Sequence, residues 1–326
     1  MLMKRNWTLL VVFAALVLVF VGGCKDETTP PTSNGDTAFE ILTEYMAANS
    51  MDLSDITSNW IITASSLYGN EDNYYIMDIR SQGDYDTLGH IDGAVHSSLG
   101  NIVTDAASCG GKPIVVVCYT GQGAGHAVTA LRLSGYPDAK SLKFGMSSWN
   151  ERFDKWTSNT GDIGIGHANW EPPPGGITSP TTFDYPEISS SSTDGATILE
   201  ERVNAMLTGG FQGVAASAVL DSPTDYFINN YWTATDVATY GNISSAYRIK
   251  EDLTLADDGF AHLDPEETIV TYCWTGQGSS VVTAYLTVLG YTAKSLKFGA
   301  NAMIYDELTS GKWTASADYP YVVTTP

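Results

Sequence analysis

One stretch of this chain occurs twice. Ile114 to Gly145 reads IVVVCYTGQGAGHAVTALRLSGYPDAKSLKFG, and Thr268 to Gly299 reads TIVTYCWTGQGSSVVTAYLTVLGYTAKSLKFG. Upstream, YYIMDIRSQGDYDTLGHIDGA (Tyr74 to Ala94) aligns with YFINNYWTATDVATYGNISSA (Tyr226 to Ala246). A period of about 150 residues is far longer than a solenoid unit and is the size of a domain. The chain is therefore constrained to fold as two versions of one unit.

The segments outside the repeats complete the organisation. Residues 1–23 carry Lys4 and Arg5, then an uncharged apolar run from Leu9 to Val21, then Gly22 and Gly23 before Cys24. The run is shorter than the ~20 residues of a membrane-spanning helix and fits an export signal. Val21-Gly22-Gly23-Cys24 resembles the lipobox of bacterial lipoproteins, in which the cysteine is lipidated and becomes the first mature residue. Residues 24–36, rich in Thr, Pro, Ser and Gly, read as a flexible tether. The resemblance implies a lipid-anchored protein on the periplasmic side of a bacterial cell envelope. Lys25, in place of the aspartate associated with inner-membrane retention, points to the outer membrane. The first domain is assigned to 37–170 and a Pro/Gly/Ser/Thr linker to 171–181, extending loosely to about 195. The second, more divergent domain is assigned to 182–326.

Each copy reads as an α/β unit. Ile114 to Val117 is an aliphatic run without alternation, as in a parallel strand buried on both faces. Glycines follow, then a helix closed by Gly135 (Gly290 in the second copy), then a strand from Lys140 to Phe144 (Lys294 to Phe298). Strand, loop, helix and strand form a βαβ unit, with helices on both faces of the sheet. Such sheets bind ligands at the carboxyl ends of their strands.

Cys118 and Cys273 sit at that point. The Cys-x-Thr-Gly-Gln-Gly loop gathers backbone N–H groups at a helix N-terminus, where about half a positive charge resides. Such a cradle stabilises a thiolate, whose pKa at these positions falls to ~3.5–7.5. The cradle is assigned to Tyr119, Thr120, Gly121, Gln122 and Gly123 in the first copy, with Thr120 offering a hydroxyl as well. In the second copy it is assigned to Trp274, Thr275, Gly276, Gln277 and Gly278. Three thiols remain once Cys24 is set aside, an odd number; Cys109, in a glycine-rich loop, has no counterpart in the repeat.

These motifs, taken together, resemble tandem rhodanese-like sulfurtransferases. Asp78-Ile79-Arg80 followed by Gly89-His90-Ile91-Asp92-Gly93-Ala94 matches that family's first signature. Cys118 to Gly123 matches its active-site loop, and Leu142 to Trp149 its closing element. The resemblance implies two rhodanese-like α/β domains and a cysteine persulfide. It implies transfer of a sulfane sulfur from thiosulfate or a persulfide donor to a thiol or cyanide, with no cofactor. Cys118 is the first choice as nucleophile, Cys273 the second. A non-catalytic sulfur-binding or protein-interaction module on the same scaffold is the alternative. Partners are a small anionic donor and a thiol acceptor; a protein partner is left open. Asp78, Arg80 and His90 are structural members of the motif. In the second copy Asn230, Trp232 and Asn242 replace them.

The loops lack the basic residue common in active members, reading Gln122-Gly123-Ala124 and Gln277-Gly278-Ser279. Lys143 and Lys297, on the strand beside each loop, are candidates to supply that charge, with Lys143 on the strand face opposite Leu142 and Phe144. The net charge of −21 argues against nucleic acid as a partner. No zinc or calcium spacing is present, so no metal is expected. His126, matched by Val281, reads as a surface helix residue rather than a base.

Overall fold

The computed structural model describes residues 37–324; the segments expected from the sequence to be an export signal, a lipidated Cys24 and a tether lie outside the described residues. Its first sheet is built around the unalternating run Ile114–Val117 (β4), which is buried along its whole length. Neighbouring strands are β1 (Ile61–Ile62), β2 (Tyr75–Asp78), β3 (Val95–His96) and β5 (Lys140–Leu142). The sheet is parallel in the order β1-β5-β4-β2-β3, with Tyr75 opposite Ile114 and Val115 opposite Lys140.

The second sheet repeats this plan. It uses β7 (Gly213–Val214), β8 (Phe227–Asn230), β10 (Ile269–Tyr272) and β11 (Ala293–Leu296), parallel in the order β7-β11-β10-β8. The counterpart of β3 shrinks to an isolated bridge between Asn229 and Tyr247. Both copies are thus parallel α/β units with helices on both faces.

The helices after the cysteine loops, Gln122–Leu133 and Gln277–Val288, are buried almost all round rather than on one face. Each lies on its own sheet and packs against the other along the junction of the two copies. Burial on every side is what a helix at the centre of a larger body shows. One continuous core runs through this layer: Leu42, Val116 and Leu131 of the first copy share it with Ile198, Val282 and Leu286 of the second. Two further clusters cover the outer faces of the sheets. Gly135 and Gly290 close the two helices at φ 94° and 103°, in the left-handed region that glycine adopts without strain.

The segments following the copies cross over. Gly161 and Gly164 donate to Asn301 O (2.9 Å) and Met303 O (2.8 Å) of the second copy. β6 (Trp170–Glu171) then pairs antiparallel with β9 (Asn242–Ile243). Reciprocally, Ala317 N and Tyr319 N donate to Ser148 O (3.0 Å) and Trp149 O (3.1 Å), and His90 N to Val322 O (2.8 Å). By packing, residues 161–171 belong with the second copy and 317–322 with the first, the reverse of their order in the chain. The Pro-rich stretch after 171 is also pinned: Phe183 N donates to Ala261 O, and Tyr185 stacks on Phe39 at 4.4 Å.

Candidate active site

β4 ends at Val117, and Cys118 begins the turn that Gly121, at φ 80°, redirects into the Gln122–Leu133 helix. The turn aims two amides at the sulfur: Gly121 N lies 3.1 Å and Ala124 N 3.4 Å from Cys118 Sγ. An ideal Cβ on Gly123 would sit 3.8 Å from the sulfur, in ordinary contact, so this glycine borders the thiol. The cradle expected at the helix N-terminus exists, but its membership differs. Ala124, not among the expected donors, is one of them; its signal in the sequence is its place in the first turn of the helix, where amides lack intrahelical partners. The Thr120 hydroxyl accepts from Gln122 Nε2 at 3.2 Å instead of facing the sulfur.

The net effect on the thiol is opposite to the expectation. Burial pushes the Cys118 thiol up, the amides of Ala124, Thr120 and Gly121 pull it down, and Asp78 adds to the rise, leaving it above the ordinary thiol value. A helix N-terminus lowers a thiol only while water or donors outweigh desolvation.

Cys273 occupies the matching position but is only 5% exposed, whereas Cys118 is half-buried. Its sulfur receives Ser279 N at 3.2 Å and lies 3.6 Å from Ser279 Oγ, which in turn meets Ser295 Oγ at 2.8 Å. Ser279 stands where Ala124 stands in the first copy. Tyr231 lies beside this thiol; burial first, then Cys273 and Glu251, push its phenol up to about 12.

Asp78 and Arg80 form a buried pair, with Nη2 to Oδ2 at 2.6 Å, and Arg80 Nη2 also donates to Gly89 O at 2.7 Å. Burial works against the guanidinium charge, but Asp78 outweighs it and raises the Arg80 pKa. The guanidinium lies 5.1 Å over the Tyr119 ring, and Lys155 Nζ 5.4 Å over the same ring. These are the cations at the loop. Lys155 was missed because it is 37 residues beyond the cysteine and outside the repeated stretch.

Lys143 and Lys297 directly follow the ends of β5 and β11. β5 ends at Leu142, and Phe144 takes φ 63°, so the alternation used to orient Lys143 stops before it applies. Its ammonium rests 5.2 Å over the Phe144 ring. Lys297 is exposed with its stem along Gly213. Among the described residues neither ammonium bonds to a cysteine.

His90 stacks on Tyr85 at 3.7 Å and bonds through Nδ1 to Tyr85 O at 2.9 Å, a structural role. His126 is buried, not on the surface: it is 1% exposed against Phe211, and burial pushes its pKa down to about 4. Gln122 and Gln277 point out of their own cradles and into the other copy: Gln122 Oε1 accepts from Phe298 N at 3.0 Å and Gln277 Oε1 from Phe144 N at 2.8 Å.

A family model for the rhodanese-like domain matches residues 63–152, a stretch that contains Asp78, Arg80, His90 and Cys118. Thiosulfate sulfurtransferase GlpE of Shewanella oneidensis is 36% identical over 77 residues, 23% of this chain and 75% of that protein. The protein of the same name from Pseudomonas paraeruginosa is 33% identical over 89 residues, 27% of this chain and 80% of its own. A solved thiosulfate sulfurtransferase from Pseudomonas aeruginosa aligns with 86% of this chain and 49% of its own at 14% identity, with a TM-score of 0.29.

Proposed function

The chain belongs to the rhodanese-like family, and from that premise we propose that it is an exported, lipid-anchored sulfurtransferase working through a persulfide on Cys118. The observation that carries this reading is the half-buried Cys118 sulfur, held at a strand end by the amides of Gly121 and Ala124. The Cys118 thiolate attacks the outer sulfur of thiosulfate; the S–S bond breaks and sulfite leaves with the electron pair. Cyanide or a thiolate then attacks the outer sulfur of the persulfide and returns the cysteine to its thiolate. The same amides that face the sulfur would hold the charge in both states. Lys155 over Tyr119 adds positive charge near the loop in a chain of net charge −21, while the Arg80 charge is balanced by Asp78.

Export and anchoring rest on Lys4, Arg5, the apolar run and Cys24, with the outer membrane as destination. Labelled palmitate incorporated by the full chain and lost in Cys24→Ser tests that part.

The second copy is read as a second rhodanese-like unit whose buried Cys273 serves sulfur storage or docking rather than turnover; its 5% exposure favours this. One assay separates the alternatives: thiocyanate formed from thiosulfate and cyanide by wild type, Cys118→Ser, Cys273→Ser and the double variant. Mass spectrometry after thiosulfate treatment should show one sulfur added at Cys118, absent from Cys118→Ser, and a second on Cys273 only where that thiol stores sulfur. No added sulfur on Cys118 at any pH would reject the enzymatic reading in favour of a non-catalytic module.

A further inference from the structure

Gln122 and Gln277 each stand four residues after a cysteine, yet each carboxamide reaches across the junction. Gln277 Oε1 accepts from Phe144 N at 2.8 Å, and Gln122 Oε1 accepts from Phe298 N at 3.0 Å. The two approaches are close enough that a Cβ on Gly121 would collide with Gln277, and one on Gly276 with Gln122. Both glutamines are almost fully buried, at 3% and 1% exposure, so their bonds are shielded from competing water.

The residues they hold are unusual. Phe144 and Phe298 both sit at φ 63°, a left-handed backbone that a bulky side chain adopts only when its surroundings impose it. Each phenylalanine is followed by the glycine that backs a cysteine loop. A Cβ on Gly145 would collide with Cys118 O, and Met146 N donates to that same carbonyl at 2.7 Å. A Cβ on Gly299 would collide with Cys273 O, and Ala300 N donates to it at 2.9 Å. The path from either glutamine to the opposite cysteine is therefore one strained Phe-Gly step.

We propose that Gln277 is a positioning residue for Cys118 and Gln122 a positioning residue for Cys273, so that each cysteine loop sets the reactivity of the other. The coupling is unequal. Gln122 Nε2 also donates to Thr120 Oγ1 in its own loop at 3.2 Å, whereas Gln277 Nε2 has no hydrogen-bond partner among the described residues. Replacing Gln277 disturbs mainly Cys118; replacing Gln122 disturbs both.

The inference requires only two thiols and no particular sulfur chemistry, so its test does not depend on turnover. The full chain is treated with iodoacetamide from pH 6 to 10, and mass spectrometry follows the Cys109, Cys118 and Cys273 peptides separately. In Gln277→Met the Cys118 rate and the midpoint of its pH profile should move, the rate by roughly fivefold or more, the lower end of coupling between sites. Cys273 should change less. In Phe144→Gly the left-handed backbone is free, and the same Gln277→Met change should have little effect on Cys118. A change confined to Cys273, or equal effects of Gln277→Met with and without Phe144→Gly, would overturn the proposal. Should Gln277→Met unfold, seen as all three peptides reacting at the rate of a free thiol, Gln277→Asn gives the same comparison. Its amide stays polar but falls one methylene short of Phe144 N, and the same outcomes apply.

Discussion

The two copies solve one structural problem in different chemical ways. In the first, Asp78 bonds the Arg80 amide at 3.0 Å and its guanidinium, and the guanidinium covers the Tyr119 ring. In the second, Asn230 bonds the Trp232 amide at 3.1 Å, and the Trp232 indole stacks on Trp274 at 4.7 Å. The backbone turn survives while a buried ion pair becomes an aromatic stack. The residue after each cysteine is thus covered by a cation in one copy and by an apolar ring in the other. The thiols differ as well: Cys118 is half-buried and faced by backbone amides, and Cys273 is buried with the Ser279 hydroxyl beside it. The two copies share a backbone scaffold and differ in the groups placed around their cysteines.

The largest expected effect tests whether the copies differ in activity at all. Cys118→Ser should lose thiocyanate formation by roughly a thousandfold or more, as expected for loss of a covalent nucleophile. Cys273→Ser should retain most of it. Equal losses would erase the functional distinction between the halves. In wild type the rate should keep climbing as pH passes the ordinary thiol range, because burial holds the Cys118 pKa above that range and only the thiolate attacks.

The next effect is on stability. Arg80→Met leaves the Asp78 carboxylate buried without its partner and should cost about 3–5 kcal/mol in urea unfolding. Importing the second copy's solution, Asp78→Asn with Arg80→Trp, removes the stranded charge and should recover more than half of that loss. A double variant no more stable than Arg80→Met would show that the two arrangements are not interchangeable.

A smaller difference lies at His126, where the second copy has Val281. Burial lowers the His126 pKa from 6.5 to about 4. The folded state therefore binds this proton less readily than the unfolded chain does. Its stability contribution is complete above about pH 6.5 and is lost as pH falls towards 4, by up to about 3 kcal/mol. His126→Val should flatten that part of the stability-versus-pH curve while changing little at pH 7. An unchanged acid dependence would place the proton uptake elsewhere. The smallest effect is expected of Ser279→Ala, which gives the second loop the first loop's residue. Losing its hydroxyl contact with Cys273 should change that thiol's alkylation rate by less than about tenfold, equivalent to a single hydrogen bond of about 1 kcal/mol.

Much of the architecture was legible because its signals are local. The unalternating Ile114–Val117 run, the glycines at 121 and 135 and the helix between them each follow from neighbouring residues. The cysteine loop was legible for the same reason, since an amide nest is made by consecutive backbone. The boundaries were less so. Residues 161–171 and 317–322 follow one copy in sequence and pack on the other, and nothing in their composition states which surface they meet.

By itself the sequence determined a duplicated parallel α/β fold, a cysteine at the end of each central strand and the family that this pattern resembles. Only the tertiary structure decided the state of the groups inside it. Desolvation is a property of everything packed around an atom, so the rise in the Cys118 pKa and the burial of His126 depend on contacts far apart in the chain. The glutamines show the same limit: each lies in a legible loop, but its partner is an amide more than 130 residues away, made available by a backbone turn that only the packed junction imposes.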